Sequence, residues 1–204
     1  MKLPIIIYIL SSCTLCLAEN LISNGDFENT VGVGNGVLAN SIRLDVISSW
    51  RCFSTEVEDR KISFELIGEE GAKALKIEMI SNPNGGTGGR IGIDRDHDRV
   101  PVAAGDRLQL KYKARLSGQK NCAIMVTLTG HRADGSVASE NTEIFELESR
   151  FADYEFPEWT VPDGVSELNV VFNLVNSGQK VGLDIQPVDP CGFVIDDIVL
   201  EKAK

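Results

Sequence analysis

The chain carries NLISNGDFE at residues 20–28 and, near its other end, FVIDDIVL at residues 193–200. Each stretch is a strand-like apolar run that contains two nearby carboxylates. These carboxylates are Asp26, Glu28, Asp196 and Asp197. The ends of a compact single domain often lie close together, so the two stretches would bring together hard oxygen donors of the kind that Ca²⁺ prefers. The sequence therefore predicts a structural calcium site that joins the two ends of the chain.

Strand parity limits which of these carboxylates can share one site. Side chains repeat every two residues along a strand, so Asp26 and Glu28 point to one face, whereas Asp196 and Asp197 are expected on opposite faces. At least one of the latter pair would approach the core, where a carboxylate is strongly destabilising unless it is paired or bound to a metal. The alternative is that all four are solvated strand-edge charges, which protect sheets from aggregation.

Alternation of apolar and polar residues with a period of two recurs along the chain. It is clearest in LQLKYKAR at residues 108–115, IMVTLT at residues 124–129 and LNVVFNLV at residues 168–175. Turn signals rich in Gly, Asn, Asp and Pro separate these runs. We therefore predict an all-β fold, a sandwich or jelly roll in which each strand turns one face to a core.

The first 18 residues have the features of an export signal, with a basic start, an apolar core at residues 3–10 and Ala18 at the end. The apolar core is shorter than the roughly 20 residues that a membrane-spanning helix needs, so no transmembrane segment is predicted. An alternative cut before Cys13 would leave a lipid-anchored protein. We expect cleavage after the first 18 residues and secretion. Residues 19–204 should then fold as a single domain, because no linker, charge block or repeat divides them.

The net charge and the cysteine content limit the kinds of partner and of covalent cross-link that we expect. The formal net charge is −10, which argues against nucleic-acid partners because these require a basic face. Three cysteines follow the predicted signal, at Cys52, Cys122 and Cys191. One disulfide bond is expected in an oxidising compartment, and the sequence leaves the choice among the three pairings open.

Catalytic motifs are missing from the sequence. It contains no G-x-S-x-G, no H-E-x-x-H and no E-x-D-x-x-E run. Glycosidases need two opposed carboxylates that flank the scissile bond, and nothing in the pattern singles out such a pair. We predict that the protein is not an enzyme.

The order of segments resembles the carbohydrate-binding modules of families four, nine and twenty-two. Such modules open with N-L-x-x-N-G-x-F-E, continue with G-x-x-A-L-x-V and G-x-x-Y-x-L-x-F-x-x-K, and end with I-D-D-V-x-L. The matching segments here are residues 20–28, 71–77, 105–115 and 193–200. Leu108, Tyr112 and Arg115 replace the tyrosine, phenylalanine and lysine of the third motif. The resemblance implies a jelly-roll β-sandwich of two antiparallel sheets, often with structural Ca²⁺, that binds polysaccharide without cleaving it.

Binding of sugars relies on aromatic faces and on polar side chains that hold hydroxyl groups. The aromatic candidates are Trp50 and Tyr154, and Trp50 also suits the core because it falls at the early core strand of the resemblance. The outward positions of residues 108–115 form a basic stripe. This stripe consists of Gln109, Lys111, Lys113 and Arg115. We predict that it pairs with carboxylate or sulfate groups of an acidic glycan, the alternative being an ordinary solvated face.

The sequence thus predicts a secreted, non-catalytic polysaccharide-binding protein with a structural calcium ion, acting at a cell surface or within a secreted complex. One rival is a structural or adhesive surface protein that uses the same sandwich to bind other proteins. A second rival is a glycan-active hydrolase or lyase.

Overall fold

The computed structural model of the protein describes residues 19–29, 36–39, 44–47, 49–54, 61–69, 71–82, 90–118, 122–180 and 190–203. The predicted signal segment and Cys13 lie outside the described residues. The strands are β1 Gly36–Ala39, β2 Leu44–Ile47, β3 Trp50–Ser54, β4 Lys61–Ile67, β5 Ala74–Ser81, β6 Ile91–Asp94, β7 Val100–Pro101, β8 Arg107–Leu116, β9 Ala123–His131, β10 Val137–Glu146, β11 Ala152–Glu155, β12 Trp159–Thr160, β13 Glu167–Val175 and β14 Cys191–Lys202. Among the described residues, no helix has the length and apolar character needed to cross a membrane.

Within the described ranges these strands form two sheets. The first sheet has the order β1-β4-β5-β14-β8-β11, with β12 also paired to β8. The second sheet has the order β10-β9-β13-β6-β3-β2, with β7 also paired to β13. Every pairing is antiparallel. The predicted all-β fold of two antiparallel sheets is confirmed.

The core lies between the inner faces of the two sheets. The first sheet contributes Leu108, Leu110 and Tyr112 of β8, and the second contributes Ile124, Val126 and Leu128 of β9. Trp50 packs between Phe27 and Phe172, with ring centroids 6.0 Å away on each side. Each large apolar side chain buried in this way contributes about 1.5–3 kcal/mol to folding. The apolar positions of the predicted alternation are therefore the positions that fill the core.

Residues 20–28 lie against β14, the last strand. The Leu21 N–H donates to the Leu200 carbonyl at 2.7 Å, and the Ile198 N–H donates to the Gly25 carbonyl at 2.9 Å. A Cβ at Gly25 would lie less than 2 Å from the Ile198 carbonyl oxygen, so only glycine allows this close approach. We call these paired segments, residues 20–28 and 193–200, the terminal clasp. The expected meeting of residues 20–28 with residues 193–200 is confirmed.

A β-bulge interrupts β14 in the middle of the clasp. Asp196 pairs in register with Lys113, but Val199, three residues later, pairs with Lys111, which is only two residues away. The extra residue reverses strand parity, so Ile195 and Ile198 are both fully buried. Asp197 has a positive φ of 49°, a conformation that Asp adopts more readily than most residues.

The bulge corrects the prediction that Asp196 and Asp197 point to opposite faces. Both aspartates border one depression on the outer face of the first sheet. Asp196 is half-buried, Asp197 is exposed, and neither side chain enters the core. Strict alternation fails here because a bulge places two residues of one strand opposite a single residue of its neighbour.

Candidate functional site

Glu28, one of the four predicted metal ligands, is engaged by the turn before β5. Its carboxylate accepts hydrogen bonds from the Lys73 N–H at 2.6 Å and the Gly71 N–H at 2.9 Å. The Lys73 ammonium lies 3.6 Å from the same carboxylate. The backbone hydrogen bonds from Lys73 and Gly71 are the main causes that lower the pKa of Glu28. Glu28 therefore links the terminal clasp to the turn at residues 71–73.

The other three predicted ligands lie on the outer side of the clasp. Asp197 pairs with the Lys113 ammonium at 2.8 Å. Partial burial, followed by the charge of Asp197, raises the pKa of Asp196 to about 6, and exposed Asp26 adds to the same rise. Within the described part of the chain, no three His, Cys, Asp or Glu side chains gather as a metal-binding group. The four carboxylates therefore do not form the shared site predicted for them, and calcium stays a prediction.

The outer face of the first sheet carries a groove of about 470 Å³ across β11, β8 and β14. We call it the charged groove. Its charged lining consists of Lys111, Lys113, Asp153, Glu155, Asp197 and Glu201. Both lysines are about half exposed, as the prediction of an outward basic stripe requires.

Both lysines of the stripe are already paired with carboxylates. The Lys111 ammonium lies 2.6 Å from the Glu201 carboxylate, and the corresponding Lys113–Asp197 pair raises the pKa of Lys113. The Arg115 guanidinium lies over the Phe151 ring, 5.1 Å from its centroid. Four carboxylates against two ammonium groups give the lining a net negative charge. This balance opposes the predicted pairing of the stripe with carboxylate or sulfate groups of a glycan.

Of the two aromatic candidates, Trp50 is not available to a ligand. Its side chain is fully buried, and its indole N–H donates to the Asn24 carbonyl at 3.0 Å. The prediction of a ligand contact at Trp50 is therefore wrong, because the ring is part of the core. Tyr154 borders the charged groove, but its ring stacks on Tyr112 at 5.4 Å and meets Phe145 edge-on.

The outer face of the second sheet differs from the first because most of its side chains are buried. We call it the recessed face. Its members are Met125, Thr127 and Thr129 of β9, Asn169, Val171 and Asn173 of β13, Asp94 of β6, and Arg51 and Phe53 of β3. They point away from the core, since they alternate with the core residues of the same strands. Met125 belongs to a small apolar cluster separate from the main core.

Asn173 lies at the centre of the recessed face. The register places it beside Met125 on β9 and Gly92 on β6. Its side chain is only 1% exposed, and neither its Nδ2 nor its Oδ1 has a hydrogen-bond partner among the described residues. An unsatisfied buried polar group costs about 1–3 kcal/mol, and buried amides are nearly always bonded to protein or water. The Asn173 side chain therefore holds a buried donor and a buried acceptor that no described residue satisfies.

The polar neighbours of Asn173 are held in fixed positions. The Thr127 and Thr142 hydroxyls are hydrogen-bonded to each other at 3.1 Å. Asp94 accepts two hydrogen bonds from Arg51, at 2.9 and 2.8 Å. Arg51 also reaches Asp96 at 3.0 Å. A fork of two parallel bonds fixes the geometry of an arginine–carboxylate pair, so this edge of the recessed face is rigid.

Sequence reasoning alone misses the recessed face, because it assigns the polar side of an alternating strand to solvent. One signal was available in the sequence. The outward positions of residues 123–129 and 169–175 hold no Lys, Arg, Asp or Glu, whereas those of residues 109–115 hold three cations. Solvated strand faces usually carry charge, so an uncharged polar face indicates shelter from bulk water.

Comparisons with solved structures identify the fold. The chain is similar to the enzymatically active domain of bacteriophage CBA120 tailspike protein 4, with 14% identity over 90% of this chain and a TM-score of 0.59, although it spans only 21% of that chain. It is similar to a family 4 carbohydrate-binding module, with 14% identity, 89% of this chain and 99% of that chain covered, and a TM-score of 0.51.

A third similar structure is the family 11 carbohydrate-binding module from Clostridium thermocellum in complex with a β-1,3-1,4-mixed-linked tetrasaccharide. The identity is 15%, the coverage is 85% of this chain and 98% of that chain, and the TM-score is 0.50. No protein-family model matches the chain, and a search of curated proteins finds no match. The chain has the jelly-roll β-sandwich fold that these carbohydrate-binding modules share, as the sequence predicted.

Proposed function

We propose that this chain is an exported, non-catalytic protein that binds a polysaccharide on the recessed face. The observation that carries the proposal is the buried, unpartnered amide of Asn173. A sugar hydroxyl group both donates and accepts, so hydroxyls of one chain can satisfy the Nδ2 donor and the Oδ1 acceptor together. A site built to hydrogen-bond a ligand gains affinity from polar groups that are otherwise unpaired.

The rest of the recessed face supports a carbohydrate ligand. Val171 of this face and Thr142 and Ile144 of the adjoining β10 are only half-buried, so a ligand can contact them, and their side chains must move apart before it reaches the buried amide of Asn173. Met125 and Phe53 provide apolar surface beside it, which suits the C–H faces of sugar rings. The charges at the edge, Arg51 and Asp94, neutralise each other. We therefore propose a neutral rather than an acidic glycan.

The fold supports carbohydrate binding less strongly than the residues of the recessed face do. The family 11 module similar to this chain was solved with a mixed-linked tetrasaccharide, but one fold can carry many functions. The charged groove of the first sheet remains the competing location, since Lys111, Lys113, Arg115 and Tyr154 lie on or beside it. Its cations are engaged in ion pairs, whereas the amide of Asn173 is not engaged within the described residues.

Calcium at the terminal clasp is a separate proposal. Glu28 and Asp197 are engaged by Lys73 and Lys113, so Asp26 and Asp196 would have to supply the ligands. Thermal unfolding with and without EDTA tests it. A clasp that depends on metal melts at a lower temperature in EDTA, because a ligand that binds only the folded state stabilises it. An unchanged melting temperature removes calcium from the proposal.

The function is tested by native affinity electrophoresis in gels that contain neutral or acidic polysaccharides, one in each gel. We expect retardation in at least one neutral glucan, xylan or galactan gel and none in an acidic gel. The same polysaccharides are incubated with the protein and assayed for reducing ends and unsaturated sugars, and neither should appear. Migration unchanged in every gel would favour an adhesive protein, and released sugars would favour the enzyme.

A further inference from the structure

Strand β11 lies at one margin of the first sheet. Among the described residues it pairs with β8 on one side, and no strand pairs with it on the other. An edge strand with free backbone N–H and C=O groups is a template on which another chain can add as a further strand. The free side of β11 is therefore a candidate surface for a polypeptide partner.

The hydrogen bonds beside β11 show which backbone groups point to that free side. The Phe156 N–H donates to the Leu110 carbonyl at 2.9 Å, in the same register as the pairing of β11 with β8. Because hydrogen-bonded positions alternate along an antiparallel pair, the backbone groups of Tyr154 also bond to β8. The N–H and C=O groups of Asp153 and Glu155 therefore point to the free side. We find no hydrogen bond between these groups and another described residue.

The side chains on the outer face of β11 form a pattern of one apolar and two acidic groups. Phe151, Asp153 and Glu155 occupy alternate positions, so they point to the same face, and all three are exposed. Asp153 and Glu155 line the charged groove, where they lie opposite Lys113 and Lys111 on β8. Neighbouring positions on one face of a strand are about 6–7 Å apart. The edge thus carries two carboxylates at a fixed spacing, next to an exposed aromatic ring.

The ion pairs of the charged groove do not involve the carboxylates of Asp153 and Glu155. Lys111 and Lys113 both pair with carboxylates of β14, on the other side of β8. Among the described side chains, no Lys or Arg forms an ion pair with Asp153 or Glu155. A partner strand that carries cations at the same two-residue spacing complements these two charges, since opposite charges that face each other across a strand pair stabilise it.

The core side of β11 holds the strand in place. The Tyr154 ring stacks on Tyr112 at 5.4 Å and meets Phe145 edge-on at 6.0 Å. Its hydroxyl donates to the Glu146 carbonyl and accepts from the Glu148 N–H, both at 3.2 Å. A strand that is already fixed in its extended conformation loses little freedom when a partner binds, which favours binding.

We propose that the free side of β11 binds an extended basic segment of another polypeptide, which adds to the first sheet as an antiparallel strand. The backbone of two cationic residues exchanges hydrogen bonds with Asp153 and Glu155, and their side chains lie beside the two carboxylates. An apolar residue two positions further along lies opposite Phe151. A second copy of this chain fits less well, because two molecules of net charge −10 repel each other. The inference does not depend on the proposed sugar binding, which concerns the other sheet.

NMR titration of the isotope-labelled full chain with a synthetic peptide tests the proposal. In an antiparallel pairing, acetyl-TKTKTVT-amide places its two lysines opposite Glu155 and Asp153 and its valine opposite Phe151. The control peptide carries methyl groups on the backbone nitrogens of both lysines, so it keeps the charges and loses two hydrogen-bond donors. We expect the first peptide to shift the amide signals of Asp153 and Glu155, and the control to bind at least about fivefold more weakly.

Two matched variants separate strand addition from a general attraction between charges. Asp153→Asn/Glu155→Gln removes two charges from β11, whereas Glu140→Gln/Glu143→Gln removes two exposed charges from β10, an edge strand of the second sheet. All four changes keep the side-chain shape, and circular dichroism checks that both variants fold. We expect the first variant to bind acetyl-TKTKTVT-amide at least about fivefold more weakly and the second to change binding less than about twofold. Equal affinities for the two peptides, equal effects of the two variants, or no shift at residues 151–156 would overturn the proposal.

Discussion

The two outer faces of the sandwich use their polar side chains in different ways. On the first sheet, Lys111 and Lys113 are about half exposed, and each is paired with a carboxylate. On the second sheet, the buried amide of Asn173 has no partner within the described part of the chain. A charged side chain that already forms an ion pair gains little from a further interaction with a ligand. An unsatisfied buried amide, in contrast, gains hydrogen bonds when a ligand provides them. The recessed face is therefore a better candidate for ligand binding than the charged groove.

The ion pairs on the two faces should differ in their importance for stability, and the largest effect is expected on the recessed face. The side chains of Arg51 and Asp94 are 12% and 10% exposed. Arg51→Met leaves the Asp94 carboxylate buried and unpaired, so we expect a loss of about 3 kcal/mol in the free energy of unfolding. Urea denaturation measures it. A loss below about 1 kcal/mol would show that this edge is far more solvated than its burial indicates.

Replacing Asn173 should separate stability from binding. Asn173→Leu removes an unsatisfied buried amide and keeps a similar volume, so we expect the free energy of unfolding to rise by about 1–2 kcal/mol. Binding of the neutral polysaccharide should fall at least tenfold, because about 1–3 kcal/mol of hydrogen bonding is lost. Urea denaturation and affinity electrophoresis give the two readouts. A variant that is less stable and still binds would mean that Asn173 has a purely structural role.

Asp196 on the first face should make stability depend on pH. Its pKa is raised from 3.8 to about 6, so the folded state binds a proton more tightly than the unfolded state. Stability from this group is therefore present at about pH 4 and is lost as the pH rises through about 6.

Asp196→Asn keeps the oxygen that accepts the Asp197 N–H at 2.7 Å and removes the charge. With allowance for solvent screening of a half-buried group, we expect it to stabilise the protein by about 1 kcal/mol at pH 7.5 and to have little effect near pH 4. Unfolding is measured at both pH values with EDTA present. An equal gain at both would show that the charge of Asp196 is not the cause.

The smallest effect is expected for the exposed counterpart of the Arg51–Asp94 pair. Lys113 and Asp197 are 48% and 46% exposed, and exposed pairs contribute about 0–1 kcal/mol. We expect Lys113→Met to change the free energy of unfolding by less than about 0.5 kcal/mol, and 0.5 M salt to weaken the difference further. A loss similar to that of Arg51→Met would remove the distinction between the two faces.

The local sequence pattern was sufficient to predict the all-β architecture. Period-two alternation at residues 108–115 and 168–175 placed the core residues correctly, because burial of one strand face dictates that pattern. The meeting of residues 20–28 with β14 was predicted correctly, but the strand expected at residues 20–28 was not, because turns and bends occupy residues 22–27. Gly25 permits the close approach to Ile198. The bulge at Asp197 could not be predicted, since it depends on how β14 pairs with β8 rather than on its own sequence.

The candidate site was harder to predict from the sequence than the architecture was. Lys111 and Lys113 face outward as predicted, but their pairing with Glu201 and Asp197 depends on neighbours that are 90 and 84 residues away in the chain. The Asn173 amide has no hydrogen-bond partner among the described residues, and this likewise depends on how four strands lie side by side in the sheet. Side chains that meet only after the sheets have formed leave no local signal in the sequence.

The most direct test of the recessed face compares matched variants of the two faces. Dissociation constants for one neutral polysaccharide are measured by affinity electrophoresis for the wild type, for Asn173→Ala and for the double variant Lys111→Ala/Lys113→Ala, after circular dichroism has confirmed that each is folded. We predict at least a tenfold weaker constant for Asn173→Ala and less than a twofold change for the double variant. The reverse result, with binding lost in the double variant and kept in Asn173→Ala, would place the ligand in the charged groove and contradict the assignment to the recessed face.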